Sequence, residues 1–167
     1  LHIFRINAEA RKLNLVKLME LNDSVIVCSA HISKEDATGE MININIPDYP
    51  TQTAGLHKEL KIAINAKVIL IKNISTKDGL VNGAVGTIVD FLPQRSPNPV
   101  YVLIRFDNRH IGTSSKLQYP HIQSLYPDAL PVGKHKAIVF ICGASKKVEA
   151  TMTQLPHLGL HNPQSAR

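Results

Sequence analysis

The sequence predicts an α+β fold, in which a strand–helix–strand piece precedes a small β-barrel. Apolar residues recur at helical spacing between residues 8 and 21, which is typical of an amphipathic helix. Residues 67–72 and 84–91 instead have the alternation of half-buried strands. The connection between these two strands contains Asn82-Gly83, a strong turn signal. Residues 100–106 (VYVLIRF) predict a further strand.

Composition limits the class of protein. The chain has 167 residues, of which 44% are hydrophobic and 19% charged, as in globular proteins. No apolar run approaches the length of a membrane span. Cys28 and Cys142 stand far apart and alone, which favours reduced thiols inside a cell. None of the 8 His lies in a metal-binding motif, so we expect no metal site. The chain begins at Leu1 rather than Met, and we expect this edge to be artificial.

Positive charge is concentrated in the second part of the chain. Residues 1–59 contain 6 Lys and Arg against 8 Asp and Glu, a net charge of −2. Residues 60–167 contain 13 against 5, a net charge of +8. A basic small barrel suits nucleic-acid binding, because phosphate contacts supply most affinity that does not depend on sequence. Plain solubility explains the same charge equally well.

The N-terminal part predicts a short strand at Leu1–Phe4 and a helix from Ala8 to Leu21, with Asn7 as its N-cap. Ser24–Ile32 (SVIVCSAHI) predicts a second strand. Residues 33–57 lose all periodicity, so we expect a surface connection there.

The C-terminal part predicts more strands between irregular segments. Gly86 indicates a bulge or a sharp bend in its strand. Pro93–Pro99 and residues 113–136 are expected to be irregular, because proline interrupts both. Ala137–Cys142 and Val148–Leu155 predict two late strands. The tail after Pro156 lacks periodicity, and we expect it to be frayed.

Three motifs carry a resemblance to a known family. Gly79-Leu80-Val81-Asn82-Gly83 is flanked by further matches from Leu60 to Phe91. Ile6-Asn7-Ala8-Glu9-Ala10 precedes it, and Gln154-Leu155-Pro156 follows it. In this order and spacing they resemble the PIF (petite integration frequency) family of DNA helicases, including the related helicases of Helitron-type transposons. Asn65 stands where the family usually has Gly, and Asn tolerates a left-handed backbone nearly as well.

The resemblance implies a division of the chain into parts. Residues 1–32 would belong to the second RecA-like motor domain, called 2A, which is only partly present. Residues 33–59 would be a connector, and residues 60–110 a Src-homology-3-like β-barrel, called 2B. Residues 111–156 would return toward the motor domain, and residues 157–167 form the tail.

The resemblance also implies an activity for the parent protein, although not for this chain alone. The family unwinds DNA in the 5′–3′ direction with ATP and Mg²⁺, in DNA repair, recombination and telomere maintenance. ATP binding needs a Gly-x-x-x-x-Gly-Lys-Ser/Thr loop, whereas Gly133-Lys134 is followed by His135 and lacks the first Gly. The family's arginine finger would lie beyond Arg167. We therefore assign no catalytic residue and no cofactor to this chain.

The expected partners are single-stranded DNA and the missing first motor domain, and the expected location is the nucleus. For DNA contact we predict the polar edge of the hairpin and two nearby arginines. These residues lie on a basic barrel next to a turn, and the resemblance implies that the family uses this barrel close to the strand on which it translocates. These residues are Lys72, Asn73, Lys77, Asn82, Arg105 and Arg109. Asn73 and Asn82 are equally well explained as residues that only shape turns.

The tail departs from the family pattern. After Pro156 the family continues with a motor motif that ends in I-H-K-x-Q-G, where this chain has HLGLHNPQSAR. Codons can be chosen for Pro156–Arg167 such that removal of one base encodes LTWACTIHKVQG. We therefore expect a shift of reading frame near Pro156, from a gene lesion, a splice error or a prediction error.

Two other functions remain open. The chain could be a genuine non-enzymatic module whose barrel binds single-stranded DNA, with affinity that falls steeply with salt. It could also be an unrelated small barrel that binds a protein partner, which predicts absent or salt-insensitive DNA binding.

Overall fold

The computed structural model describes residues 7–21, 25–35, 38, 40–44, 58–94, 96, 99–142, 147–154 and 158–160. Within these ranges the chain forms helices and strands in mixed order, and the α+β prediction is confirmed. The helices are α1 (Asn7–Glu20), α2 (Thr113–Lys116) and α3 (Pro120–Leu125). The strands are β1 (Ile26–Ser29), β2 (His31–Glu35), β3 (Met41–Ile44), β4 (Glu59–Ile62), β5 (Lys67–Leu70), β6 (Val85–Leu92), β7 (Tyr101–Phe106), β8 (Leu130–Gly133), β9 (His135–Cys142), β10 (Lys147–Gln154) and β11 (Leu158–Leu160).

The strands form three antiparallel sheets. One has the order β11-β5-β6-β7-β8 and contains the predicted hairpin. Another has the order β3-β2-β10-β9, so it joins early and late parts of the chain. The third consists of β1 and β4. In the five-stranded sheet β5, β6, β7 and β8 pair in chain order, and β11 pairs with β5 from much later in the chain. The four-stranded sheet joins the sequential pairs β2–β3 and β9–β10 through β2 and β10.

The predicted N-terminal helix is confirmed within one residue at each end. Asn7, predicted as the N-cap, is the first residue of α1. Glu9 lies in the first turn, where the helix dipole favours a carboxylate. Leu18 is buried, with only 2% of its surface exposed. The predicted strand Leu1–Phe4 lies outside the described residues.

The single strand predicted at Ser24–Ile32 is wrong, because the chain changes sheets at Ala30. β1 pairs with β4, whereas β2 pairs with β10 and β3. The surface connection predicted for residues 33–57 is wrong in part as well, because residues 33–35 belong to β2 and β3 lies between them and residue 45. β2 pairs with β10, more than a hundred residues later, and no local periodicity indicates such a partner. β3 pairs with β2.

The hairpin strands are confirmed as β5 and β6, and the strand at residues 100–106 as β7. The bulge predicted at Gly86 is wrong. Gly86 pairs in regular register with Val68 and Phe106, and the register shifts instead between Ile88 and Asp90. A Cβ on Gly86 would lie 2.6 Å from Ile104 Cγ2. Glycine is therefore required by the close approach of β7, not by a bend.

The irregular segment predicted for residues 113–136 is also wrong, since it contains α2, α3, β8 and the start of β9. Pro120 occupies the first turn of α3, where its missing N–H costs no hydrogen bond. Pro131 lies in β8, which is the edge strand of its sheet, and edges tolerate proline. Both prolines mark element positions rather than interruptions.

The two late strands are confirmed as β9 and β10, which pair with each other over their full length. The frayed tail predicted after Pro156 is wrong for residues 158–160. They form β11, which pairs with β5 from Leu158 opposite Leu70 to Leu160 opposite Val68. The remainder of the tail lies outside the described residues.

One hydrophobic core joins the N-terminal elements to the five-stranded sheet. The cluster takes Leu18 from α1 and Cys28 from β1 together with side chains of the sheet. The largest fully buried side chains are Ile62, Leu70, Ile88, Leu103, Ile104, Leu130, Val68 and Val102. Most of them come from β5 to β8, so this sheet provides the rigid base for the loop between β5 and β6.

Candidate nucleic-acid interface

The loop between β5 and β6 has a fixed shape, because hydrogen bonds join its own backbone groups. A single 3₁₀ turn spans Thr76–Asp78 and ends at Gly79, which has a φ of 72°. Ser75 and Leu80 then form a short antiparallel bridge. Leu80 is buried, with 3% of its surface exposed. The Gly79–Gly83 motif therefore begins with a residue whose left-handed backbone favours glycine.

The predicted turn at Asn82-Gly83 is present, but only one of its residues has a positive φ. Gly83 has a φ of 94°, and its N–H donates to the carbonyl of Leu70. Asn65, where the family usually has Gly, has a φ of 65°, so the expected left-handed backbone is confirmed there.

Two of the predicted DNA-contact residues bond to each other. The backbone N–H of Asn82 donates to Oδ1 of Asn73 over 2.8 Å. Both residues are exposed. Asn73 thus shapes the loop as the turn interpretation expected. The same bond holds two polar residues side by side at the loop surface.

Asp78 anchors the loop from behind. Its carboxylate accepts hydrogen bonds from the backbone N–H groups of Ser114, over 2.9 Å, and Ser115, over 2.7 Å. Its backbone carbonyl accepts the N–H of Gly112. Burial by itself would raise the pKa of Asp78, but the hydrogen bonds from Ser115 and Ser114 outweigh it and hold that pKa below its ordinary value.

Sequence reasoning missed Asp78. Its partners follow 36 and 37 residues later in the chain. Only an acidic residue directly before Gly79 marks the position in the sequence, and such a residue is common in loops. The two bonds fix the loop to α2.

The six predicted DNA-contact residues fall into two groups. Lys72 is half-buried, and Lys77 is exposed like Asn73 and Asn82. These four share the loop, and we call them the loop rim. Within the loop rim the charge is positive, since its two ionisable side chains are both lysines.

The other two, Arg105 and Arg109, are exposed and line a separate depression of about 400 Å³. Asp107 and Asp128 also line it, so its positive charge is partly offset. Asp107 Oδ1 lies 2.6 Å from Nζ of Lys67. The arginines therefore face mixed charge, unlike the loop rim.

The described residues do not form an ATP site. Gly133 ends β8 and Lys134 precedes β9, so the Gly-Lys pair connects two strands. A phosphate-binding loop needs several backbone N–H groups around the phosphates, followed by a helix. Residues 133–134 do not fit that arrangement, because a strand and not a helix follows them.

The described part of the chain has neither a metal-binding cluster of side chains nor a membrane-spanning helix. It contains no group of three or more His, Cys, Asp or Glu side chains placed to hold a metal ion. None of its helices is long and apolar enough to cross a membrane.

Comparison with known proteins gives one family match. Residues 52–91 match the family model described as "DNA helicase Pif1, 2B domain". This range contains β4, β5, the complete loop rim and all but the last residue of β6. The predicted resemblance to Pif1 helicases is confirmed. No curated protein sequence matches the chain.

Solved Pif1 structures share the fold over most of this chain. A Bacteroides Pif1 bound to single-stranded DNA has 16% identity and a TM-score of 0.55, and the match covers 96% of this chain. The Pif1 helicase of Candida albicans has 20% identity and a TM-score of 0.55, with 94% of this chain covered. An unliganded Pif1 from Bacteroides has 16% identity and a TM-score of 0.52. The α+β fold with a Src-homology-3-like 2B domain agrees with these matches.

The chain spans about a third or less of the Pif1 chains that it matches. The covered shares of those chains are 29% for the DNA-bound Bacteroides protein and 33% for the Candida protein. The chain therefore shares with Pif1 the 2B domain at residues 52–91 and the fold of the segments on either side of it.

Proposed function

We propose that this chain is a piece of a Pif1-like, ATP-dependent 5′–3′ DNA helicase, and that its 2B domain contacts single-stranded DNA through the loop rim. The observation that carries the proposal is the anchored loop inside the matched region. Two lysines and two asparagines lie on a loop whose shape is set by Gly79, Gly83 and the Asp78 carboxylate. A loop fixed in advance loses little conformational entropy on binding.

The parent activity is part of the same proposal. A complete helicase would need ATP and Mg²⁺ on its motor domains, and this chain would contribute DNA contact without hydrolysing ATP. Its nuclear location, its pairing with the first motor domain and its parent's roles in repair, recombination and telomere maintenance are likewise proposed. Two of the similar Pif1 structures support DNA as the ligand: one is bound to single-stranded DNA, and the other concerns unwinding at forked duplex DNA.

A second candidate is a stand-alone DNA-binding module without a motor. It is favoured by the core, because β5 to β8 bury their own apolar side chains, including Val68, Ile88 and Ile104 at 1% exposure or less. This candidate predicts the same DNA contact. It differs only in needing no first motor domain.

Binding of a fluorescent oligothymidine to the full chain tests the shared claim. We expect binding by fluorescence anisotropy, with affinity that falls steeply as salt rises, because Lys72 and Lys77 neutralise phosphates. A parallel assay should detect no ATP hydrolysis, with or without DNA. Absent or salt-insensitive binding would instead support the third interpretation, a small barrel that binds a protein partner.

A further inference from the structure

A second depression is lined in part by the loop that carries the loop rim. It has a volume of about 460 Å³, in the range of small-ligand sites. Ile74 and Leu80 line it from the loop, and Tyr101, Tyr119 and Lys134 are among the residues that line it from the opposite side. The described residues that line it include no carboxylate, and Lys134 gives them a positive formal charge. We call it the aromatic depression.

The two tyrosines hold each other in place. The rings of Tyr101 and Tyr119 meet edge to face, with centroids 5.8 Å apart and planes at 71°. Tyr101 is the cross-strand partner of Gly133, and a Cβ at Gly133 would lie 3.0 Å from Tyr101 Cε1. The absence of a side chain at Gly133 thus lets the Tyr101 ring lie across β8. Both tyrosines are half-buried, so each is fixed in position and still reachable from solvent.

The aromatic depression and the loop rim share one loop. Ile74 directly follows Asn73, and the N–H of Ile74 donates to the carbonyl of Leu80 over 2.8 Å. Asn73 in turn accepts the N–H of Asn82. The lining of the aromatic depression therefore begins at Ile74, the residue next to Asn73 of the loop rim.

We propose that the aromatic depression holds an unpaired base of single-stranded DNA, stacked against Tyr119. This proposal rests on the proposed function. It assigns a site to the bases, whereas the loop rim contacts only the phosphates. Every base has a flat aromatic face, so stacking on tyrosine binds a base without reading its identity. The described lining contains Lys134 and no carboxylate, so it does not repel the phosphates of a bound strand. Bases in duplex DNA are stacked on one another, so the site selects single strands.

The test compares an oligothymidine with an abasic oligonucleotide of the same length, which keeps the phosphates and lacks the bases. We expect the full chain to prefer the oligothymidine by about tenfold, and the Tyr119→Ala variant to bind both equally. Tyr119→Phe should restore the preference, because it keeps the ring. The slope of affinity against salt should stay unchanged in both variants, since neither changes a charge. Because the chain has 4 Tyr and no Trp, quenching of tyrosine emission by the oligothymidine gives a second readout.

Leu117→Ala is the matched control. Leu117 lies two residues from Tyr119, is 81% exposed and does not line the aromatic depression. Its substitution should leave the preference intact. If Leu117→Ala lost as much affinity as Tyr119→Ala, the effect would come from the segment's structure, and the stacking proposal would be overturned.

Two further outcomes separate this proposal from the proposed function. Equal binding of the two oligonucleotides by the unmodified chain, with a steep salt dependence, would overturn the stacking site and leave the loop rim standing. Failure to bind either oligonucleotide would overturn both.

Discussion

At the scale of single residues, Asp78 decides whether the loop keeps its shape. Its carboxylate accepts two backbone N–H groups at once, from Ser114 and Ser115. Asn offers only one acceptor oxygen in the same place. We expect Asp78→Asn to lower the free energy of unfolding by about 1–2 kcal/mol at pH 7, as the loss of a helix cap does. Urea unfolding measures this, with Asp128→Asn as the control at an exposed carboxylate.

The same substitution has a pH signature. The pKa of Asp78 is lower in the folded chain than its ordinary value of 3.8, so its stabilising effect is complete above that value. The effect is lost as pH falls through the lowered pKa of the folded state. The difference between Asp78→Asn and the unmodified chain should therefore shrink as pH falls below about 4. A difference that stays the same at pH 7 and at strongly acid pH would contradict the role given to the charged carboxylate.

Cys28 differs from Asp78, because burial raises its pKa instead of hydrogen bonds lowering it. Burial raises the pKa of Cys28 to about 11, and the positive charge of Lys134 opposes this only in part. The thiol is thus protonated at neutral pH, and protonated thiols are poor nucleophiles. Cys28 belongs to the hydrophobic core, which agrees with the reduced thiol expected from its isolation in the sequence.

At the scale of elements, β6 and β7 approach unusually closely at Gly86. A Cβ there would lie 2.8 Å from the backbone oxygen of Arg105 as well as 2.6 Å from Ile104 Cγ2. We expect Gly86→Ala to destabilise the chain by about 1–3 kcal/mol, because the backbone has to move. Thermal unfolding compares it with Thr87→Ala at the neighbouring, half-exposed position. An unchanged melting temperature for Gly86→Ala would contradict this packing.

Elements were predictable where their signal is local. Helix α1 and strands β5, β6, β7, β9 and β10 follow from apolar spacing within each segment. The switch of sheets at Ala30 could not be predicted, because β1 and β2 pair with the distant strands β4 and β10. Strand β3 was missed although its partner β2 is close in sequence. Prolines at residues 120 and 131 were interpreted as interruptions, although one begins α3 and the other lies in an edge strand. Proline alone does not distinguish these cases.

The candidate site divides in the same way. The Gly79–Gly83 motif predicted a shaped loop, and the structure brings Lys72, Asn73, Lys77 and Asn82 together on it. Asp78 and the Tyr101–Tyr119 pair could not be predicted, because α2 and β8 meet the loop only after the chain has folded. Binding by any of these residues stays a prediction until it is measured.

At the scale of the whole molecule, stability depends on a core that is only partly covered. Because residues 1–32 would supply only part of a RecA-like sheet, the sequence predicts marginal stability and aggregation. Leu18 and Cys28 do pack into the core, but Val16, Met19 and Val27 are between 43% and 62% exposed. We still expect the full chain to melt broadly and to aggregate in light scattering. A sharp, cooperative melt of the pure chain would contradict that expectation.

The tail gives a second whole-molecule prediction. β11 is an outer strand of the five-stranded sheet and pairs with β5, so it covers the edge of β5. Removal of residues 157–167 would expose that edge, and exposed strand edges template aggregation. We expect the shortened chain to aggregate at a lower temperature than the full chain. Removal of residues 161–167 alone keeps β11 and is the control; equal behaviour of the two shortened chains would contradict a role for β11.

The central claim is that the loop rim contacts the phosphates of single-stranded DNA. It is tested most directly by the slope of binding affinity against salt concentration, on logarithmic axes, for two double variants. Lys72→Ala with Lys77→Ala removes the rim lysines, and Lys12→Ala with Lys61→Ala removes two exposed lysines elsewhere. We predict that the first variant flattens the slope by about 1.4, because each of the two lost phosphate contacts contributes about 0.7. The second variant should leave the slope unchanged. An unchanged slope in the first variant, or an equal change in both, would contradict the claim.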